Sequence, residues 1–377
     1  MNETVSSSRY LELNSWQKRQ ATLLYHFSSL AYVEGLLNRI DLLVSFAESL
    51  LEERSNLDPA GRMLANWQPI DTAGHFSTYA YPALMEFREG VIKDIAARAH
   101  QVFDIAGERQ CSRMLDEYAY QMPWATQDQE EQFKHRAQAV FHYASKISEM
   151  MSRPSLWDDF VFWSLWQEDG KGFSHIPRFR VRSDLCCFSG DTPPRTGAYV
   201  PADDPYGSLQ FGWTGGHGEL GNTYTLNQFG KLALERVGRE GLWEDVDGLH
   251  RLISGPEGLL LRNIQQRERS RPHLAPAAAS RESFEDRPCR WFFVELIDDE
   301  YEEIDGTYAG TSSVATATRP HRVEAGQQVP QNGWWYTPAQ MGSRRYFKKD
   351  DRFPELKGSD YGNVLWIWSP DQSDPKL

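Results

Sequence analysis

Cysteine is scarce in this chain of 377 residues. The four cysteines, Cys111, Cys186, Cys187 and Cys289, are scattered along the sequence, and the adjacent pair is poorly placed to bridge to each other. Small secreted domains that depend on disulfides carry many more cysteines for their length. The sequence therefore excludes a disulfide framework and favours a reducing compartment.

Long apolar runs are also missing. No segment approaches the roughly 20 apolar residues that a membrane-spanning helix needs. The N-terminal residues have neither a basic start nor an apolar signal segment. With 40% hydrophobic residues, the chain still has enough apolar side chains for one large domain or two ordinary ones. We expect a soluble bacterial-type protein of the cytoplasm.

Positive charge is in deficit. The chain has 40 Lys and Arg residues against 53 Asp and Glu residues, which gives a formal net charge of −13. Nucleic acids and anionic membranes are bound by clustered Lys and Arg. The sequence therefore predicts no nucleic-acid partner and no membrane partner, and a protein with a basic surface fits better.

Signatures of nucleophilic catalysis, metal binding and phosphate binding are absent as well. The chain has no Gly-x-Ser-x-Gly elbow, no local signature around a cysteine and no His-x-x-x-His spacing. The glycine-rich segment 215–219 lacks the Lys and Ser/Thr of a P-loop, so we interpret it as a loop. The neighbouring carboxylates Asp158 and Asp159, like Asp203 and Asp204, fit a solvated face or a turn. We predict no catalytic residue, no cofactor and no metal.

Helical periodicity dominates the first part of the chain, up to about residue 165. Apolar residues on one face predict a long helix over 15–54, a second helix with Pro82 in its first turn, and a third over 128–153. A shorter helix over 156–166 carries a stripe of aromatic residues: Trp157, Phe160, Trp163 and Trp166. We interpret this stripe as core or as a domain interface.

After Gly170 the pattern changes to short apolar runs between Pro, Gly and Thr residues, which is typical of strands. The predicted strands are 178–183, 198–201, 208–213, 290–297, 333–337 and 364–368. Two predicted helices, 225–237 and 246–262, interrupt them. The segment 269–280 is predicted to be a surface loop.

Two distant segments nearly repeat each other. Residues 206–213 read YGSLQFGW, and residues 361–368 read YGNVLWIW. Each follows a related phrase, PRTGAYVPA at 194–202 and PQNGWWYTPA at 330–339, with one extra residue in the second. A Pro-x-x-Gly turn and two aromatic extended segments used twice predict a duplicated β unit.

Seven carboxylates lie within residues 295–305, which contain no Lys or Arg: Glu295, Asp298, Asp299, Glu300, Glu302, Glu303 and Asp305. Such a run is ordinarily a solvated loop. The alternative is a surface that occupies the basic substrate groove of a nucleic-acid-processing protein, where complementary charge speeds association. Because it follows an apolar strand, the run would be held at a sheet edge.

Trp334, Trp335 and Tyr336 supply large aromatic side chains of the type that dominates interface hot spots. The alternation of a strand places at least one of the three on the other face, so part of this set belongs to a core. Together with the seven carboxylates, these three residues form our candidate partner-binding set.

With these residues in view, the chain resembles the polymorphic-toxin immunity proteins of families 71 and 72. The resemblance rests on residues 193–213, on 287–296, and on 333–339 with 345–347, and it extends into the helical half through 156–163. It implies an antitoxin that binds a cognate secreted effector, such as a nuclease toxin delivered by a type VI secretion system. It implies inhibition by stoichiometric binding, with no active site to carry over.

Two other hypotheses stay open. His217 and Glu219, with Asp203 or Asp204, would suit a hydrolase acting on a sugar or nucleotide, or an immunity enzyme that reverses a toxin's modification. That hypothesis predicts that these side chains converge in one concave pocket. The wide apolar faces of 15–54 would alternatively serve a homo-oligomer.

The predicted architecture is α+β. We expect a helical domain over 1–168, packed on a strand-rich α+β domain over 169–377 that contains the duplicated β unit.

Overall fold

Helices fill the first half of the chain and antiparallel sheets dominate the second half, so the fold class is α+β. The computed structural model describes residues 12–54, 72–104, 107–119, 122–173, 175–261, 263–303, 322–330, 332–337, 343, 345–354 and 365–368. The chain divides into two units, Met1–Gly310 and Thr311–Leu377. The boundary expected at 168 lies inside the first unit, because the helices before it and the sheet after it share one hydrophobic core.

In the described part of the chain, seven α-helices precede the first strand: α1 Ser15–Ser28, α2 Leu30–Arg54, α3 Thr72–His75, α4 Tyr81–Ala97, α5 Glu108–Tyr118, α6 Gln127–Met151 and α7 Asp158–Asp169. Asn14 begins α1 with a capping box that it shares with Gln17. The single helix predicted over 15–54 is two helices, because Ser29 takes an extended conformation and ends α1. Pro82 lies in the first turn of α4, as predicted.

Four more helices follow the sheet strands of the middle region: α8 Gln228–Glu244, α9 Val246–Ser254, α10 Gln266–Ser270 and α11 Ala275–Ser283. The apolar faces of α8, α9 and α11 form a separate hydrophobic cluster. The loop predicted over 269–280 is wrong, since most of it belongs to α10 and α11. Pro276 occupies the first turn of α11, where proline is tolerated, and the alanines that follow are the strongest helix formers.

A buried ion pair joins α1, α7 and α8. The Asp159 side chain is 1% exposed, and its Oδ1 accepts hydrogen bonds from Trp16 Nε1 at 2.9 Å and from Arg239 Nη1 at 2.7 Å. The Arg239 guanidinium also lies over the Trp16 ring, 5.2 Å from its centroid. These contacts fix the aromatic helix α7 inside the first unit, so Asp159 is a structural residue.

The larger sheet of the first unit has the strand order β1-β6-β2-β3, with antiparallel neighbours. Its strands are β1 His175–Phe188, β2 Gly197–Pro201, β3 Gln210–Gly212 and β6 Arg290–Glu303; β4 Thr223–Leu226 pairs separately with β5 Phe284–Arg287. Alternate residues of β6 enter different clusters: Phe292 and Val294 join the helices, while Trp291 and Phe293 pack on the other face. The Tyr25 hydroxyl of α1 donates to the Val294 carbonyl at 2.5 Å, which holds α1 on the sheet.

The second unit contains a four-stranded sheet of order β7-β10-β8-β9. Its strands are β7 Arg322–Glu324, β8 Gly333–Tyr336, β9 Arg345–Phe347 and β10 Leu365–Trp368. Its core consists of Val329, Trp335, Phe347, Phe353 and Trp366. Among the residues that the structure describes, in either unit, no helix has the length and apolarity that crossing a bilayer requires.

Both copies of the repeated sequence form an antiparallel strand pair, β2 with β3 in the first unit and β8 with β10 in the second. Each copy begins its first strand at a glycine with a positive φ, 151° at Gly197 and 159° at Gly333. The register differs. Tyr199 lies opposite Gln210, the fifth residue of segment 206–213, whereas the equivalent Trp335 lies opposite Trp368, the eighth residue of segment 361–368. The repeat therefore conserves which segments pair and not how they align.

Candidate functional site

The acidic run lies on β6, and β1 neutralises its first residue. Glu295 forms ion pairs with Arg182 at 3.1 Å, with Arg195 at 3.5 Å and with Arg180 at 3.6 Å. Arg180 and Arg182 belong to β1, whose pairing with β6 brings them beside the carboxylate, and Arg195 comes just before β2, the other neighbour of β6. The run that looked unneutralised in sequence therefore begins with a carboxylate that has several cationic partners, and Glu295 is part of the sheet rather than a free contact for a partner.

Two further carboxylates of the run are paired across the structure. Glu300 accepts from Arg178 at 2.9 Å, and Glu302 from Lys18 of α1 at 2.7 Å. The first pair is about half exposed on both sides, so water and salt screen it and it contributes little to stability. Glu302 ties the end of β6 to α1. Asp305 lies outside the described residues.

An interruption in the β1–β6 pairing contains Asp298 and Asp299, together with Glu300. Pro177 lies opposite Tyr301 and Phe179 opposite Leu296, so residues 297–300 of β6 face one residue of β1. We call residues 297–300 the acidic bulge. Its Asp299 has a left-handed backbone, with φ of 58°. Bulges of this kind bend a strand and redirect its side chains.

Asp298 and Asp299 of the acidic bulge are exposed and form no ion pair with any residue in the described ranges. Tyr301, which follows directly, is 63% exposed. Tyrosine is a residue type that interface hot spots favour, and exposed carboxylates beside it suit the polar rim of an interface. Glu303 is also exposed at the end of β6. Tyr301 was not among the contacts predicted from the sequence, although a tyrosine inside an acidic run was a visible signal.

The three aromatic candidates on β8 have different environments. Trp335 is fully buried in the core of the second unit, with its ring 5.0 Å from that of Phe353, so it cannot contact a partner. Trp334 is half-buried and packs edge-on against the exposed Tyr346, at 5.8 Å between ring centroids. The side chain of Tyr336 lies outside the described part of the structure. Only Trp334 thus has a described surface that a partner can reach.

A cavity of about 480 Å³ in the first unit is the other candidate site. It lies where the end of α6 and the start of α7 meet β3, β4, β5 and the glycine-rich loop 214–222. Apolar and aromatic side chains form much of its wall, including Leu24, Met150, Val161, Phe162, Phe211, Trp213, Leu220 and Tyr224. Its volume falls within the range of pockets that bind small molecules, about 300–1,000 Å³.

The glycine-rich loop is folded against Trp213. The Trp213 backbone N–H donates to the Gly218 carbonyl at 3.2 Å, and its indole Nε1 donates to the Gly216 carbonyl at 3.1 Å. A Cβ at Gly218 would lie 2.0 Å from the Trp213 carbonyl oxygen, so glycine is required there. Gln210 closes the other side by accepting from the Gly221 N–H at 2.9 Å. These contacts hold the loop in a fixed position, where it forms one wall of the cavity.

Four carboxylates line this cavity: Glu149, Asp158, Glu219 and Asp286. Burial raises the pKa of Asp158 to about 7, against the hydrogen bonds that its Oδ1 accepts from Ser155. Burial also raises the pKa of Glu149. Burial, together with the nearby Asp286 and Asp158 carboxylates, raises the pKa of Tyr224. The cavity is thus an acidic and partly desolvated environment.

The enzyme hypothesis is met in part. His217 and Glu219 both line the cavity, as that hypothesis requires. Asp203 and Asp204 do not line it; they accept hydrogen bonds from Arg287, and Asp204 Oδ2 lies 2.8 Å from Arg287 Nη2. The four residues therefore do not converge. Within the described ranges, no group of three or more His, Cys, Asp and Glu side chains is arranged to hold a metal ion.

All four cysteines are free thiols. Burial raises the pKa of Cys111 and of Cys289 to about 12 and that of Cys187 to about 11. Because the thiolate is the reactive form, these three side chains are poor nucleophiles. Cys186 is exposed.

With this geometry established, the chain was compared with known proteins. No family model, no curated protein and no solved structure matches it.

Proposed function

We propose that this chain is an immunity protein that neutralises a cognate secreted effector by stoichiometric binding. The observation that carries the proposal is the acidic bulge, which presents Asp298 and Asp299, without counter-ions from the described chain, beside the exposed Tyr301. The bulge belongs to a strand paired on a sheet, so these groups have defined positions. The resemblance to immunity families 71 and 72 points to the same function.

The partner is a toxin with a basic surface, and a nuclease delivered by a type VI secretion system is the effector that the resemblance implies. A nuclease binds polyphosphate in a basic groove, and exposed carboxylates on a −13 protein are attracted to that groove. In this proposal the acidic bulge sets the association rate, and the aromatic contact of Tyr301 sets the residence time. Trp334, on the second unit, is a separate candidate contact. The protein acts in the cytoplasm of the producing cell, in keeping with its four free thiols.

The proposal is tested first by neutralisation. The gene adjacent to this one is expressed alone and together with it, and growth is measured. We expect the adjacent product to be toxic alone, to be harmless in the presence of this protein, and to co-purify with it at one-to-one stoichiometry by light scattering. A neighbouring product that is harmless alone, or toxic in both conditions, contradicts the proposal.

The role of the acidic bulge is tested by association kinetics. The double variant Asp298→Asn and Asp299→Asn removes two charges, and asparagine tolerates the left-handed backbone of position 299. A matched control, Asp116→Asn with Glu117→Gln, removes two adjacent exposed carboxylates from α5. We expect the bulge variant alone to associate several-fold more slowly and with a weaker dependence on salt. Identical kinetics for both variants would remove the bulge from the interface.

The second candidate function is an enzyme, and one observation favours it: His217 and Glu219 share a cavity with Asp158. An acid with a pKa near 7 suits general acid catalysis on a sugar. The excess of carboxylates opposes a nucleotide substrate, whose phosphates are negatively charged. If Asp158→Asn still neutralises the toxin fully, binding is sufficient; loss of neutralisation with binding retained favours the enzyme.

A further inference from the structure

The side chains that line the cavity carry more negative than positive charge. Glu149, Asp158, Glu219 and Asp286 line it with a single cationic side chain, Arg153. Within the described chain, none of the four carboxylates forms an ion pair, and neither does Arg153. Asp286 accepts from the Asn222 amide at 3.1 Å, and Asp158 accepts from Ser155, so their only partners are neutral. Asp158 is half-buried and the other three carboxylates are exposed, so a cation that enters the cavity meets acidic groups that no ion pair already neutralises.

The remaining walls are suited to a cation with an apolar stem. Phe211, Trp213 and Tyr224 contribute aromatic rings, and aromatic faces attract cations within about 6 Å of the ring centroid. Met150 and Leu220 supply aliphatic surface beside them. A guanidinium is planar, weakly hydrated and able to bind a carboxylate through two N–H groups, so it gains from both kinds of wall.

Other ligand classes fit less well. Phosphate or carboxylate ligands would be repelled by four acidic side chains. A metal ion needs several ligands within about 2 to 2.6 Å, and the described chain offers no such group here. A volume of about 480 Å³ with apolar walls is also far larger than one ion requires.

We propose that this cavity binds an organic cation, a guanidinium or primary ammonium group carried on an apolar stem. Asp158 and Glu219 bind the cationic head, and the rings of Phe211, Trp213 and Tyr224 enclose the stem. The ligand has two sources with this shared chemistry, a free small molecule or an arginine or lysine side chain of a partner protein. The second source rests on the proposed function, whereas the existence of the binding site does not.

Calorimetric titration of the isolated full-length protein tests the site. The probes are butylguanidinium and N-butylurea, which have nearly the same shape and differ in charge. We expect butylguanidinium to bind with one-to-one stoichiometry and about tenfold more tightly than N-butylurea. Equal affinity of the two probes, or no saturable binding of butylguanidinium at millimolar concentrations, overturns the proposal.

Substitutions locate the probe. Asp158→Asn keeps the oxygen that accepts from Ser155, and Glu219→Gln changes an exposed side chain, so both variants are expected to fold. Together they should weaken butylguanidinium about tenfold, while the control Asp116→Asn on α5 leaves its affinity unchanged. Binding that survives the double variant, confirmed as folded by its thermal melt, places the probe elsewhere and refutes the site.

The source of the ligand is distinguished by a third probe, the blocked tripeptide acetyl-Gly-Arg-Gly-amide, with its citrulline analogue as the neutral control. Binding of the arginine tripeptide in preference to the citrulline one supports a protein side chain as ligand. Binding of butylguanidinium without the tripeptide supports a small molecule, because the peptide backbone is then excluded. These titrations need no toxin, so failure of the immunity proposal and failure of this site give different results.

Discussion

Replacement of Asp158 by asparagine should make the protein more stable at high pH. The folded protein holds the pKa of this carboxyl near 7 because burial disfavours the charged form. An aspartate in the unfolded chain has a pKa of about 3.9. Above that value the unfolded state has lost the proton that the folded state still binds, so rising pH favours unfolding until it passes about 7. Asparagine has no such proton, and it retains the oxygen that accepts from Ser155.

The size of the effect follows from the pKa difference. Each pH unit between the two pKa values changes the free energy of unfolding by about 1.4 kcal/mol, so the interval from pH 5 to pH 7 corresponds to about 3 kcal/mol. Asp158 is only partly buried by surface area, and solvent screening reduces the expected value to about 2 kcal/mol. The gain of the variant over the wild type should appear between pH 5 and 7 and stay constant above pH 8.

Urea denaturation of both proteins at pH 5, 6, 7 and 8 measures this difference. Comparison of the two proteins at each pH cancels the groups that they share. Asp116→Asn, which removes an exposed carboxylate of α5, serves as the control and should stay parallel to the wild type. If the Asp158→Asn profile is also parallel to the wild type, Asp158 is ionised in the folded protein at pH 5, and the account of a desolvated cavity is wrong.

Three further predictions concern stability and reactivity. Asp159→Ala leaves Arg239 buried without its counter-ion and should destabilise the protein by about 3–5 kcal/mol in urea; Asp159→Ala with Arg239→Met should recover part of this loss. Gly197→Ala places a Cβ 2.6 Å from the Phe293 ring and should cost about 1–3 kcal/mol, more than Gly172→Ala, whose Cβ meets no atom within 4 Å and whose backbone is not in the left-handed region. A disulfide reagent should modify one thiol rapidly in the folded protein, and Cys186→Ser should remove that reaction; several fast thiols would contradict the burial of the other cysteines.

Sequence patterns predicted the elements whose local signal is strong. The helical periodicity of 128–153 corresponds to α6, and the strand predicted at 198–201 corresponds to β2. The aromatic residues of the stripe at 156–166 differ in exposure, since Trp166 is buried while Trp157 and Phe160 are exposed. The same spacing along a helix cannot reveal this, because exposure depends on which neighbour covers each position.

The short strands β4, β5, β7 and β9 escaped prediction. Each has three or four residues, too few for alternation to be distinguished from chance. The loop predicted over 269–280 failed for a different reason. Proline was interpreted as a helix breaker there, but in the first turn of a helix its missing N–H has no intrahelical partner to lose.

The acidic run shows most clearly what one sequence omits. The run has no Lys or Arg close to it in sequence, but it has several close to it in space. The pairing of β1 with β6 brings Arg178, Arg180 and Arg182 beside the carboxylates. These arginines alternate with other residues, which places them on one face of a strand. Opposite charges on two neighbouring strands form cross-strand pairs. The arginines of one predicted strand and the carboxylates that follow the other have this pattern, so the pairing of the two segments could have been predicted. What no pattern indicates is the bulge at 297–300. In the bulge, Asp298 and Asp299 have no opposite residue on β1 and form no ion pair with its arginines. Their negative charge is therefore accessible to a partner protein.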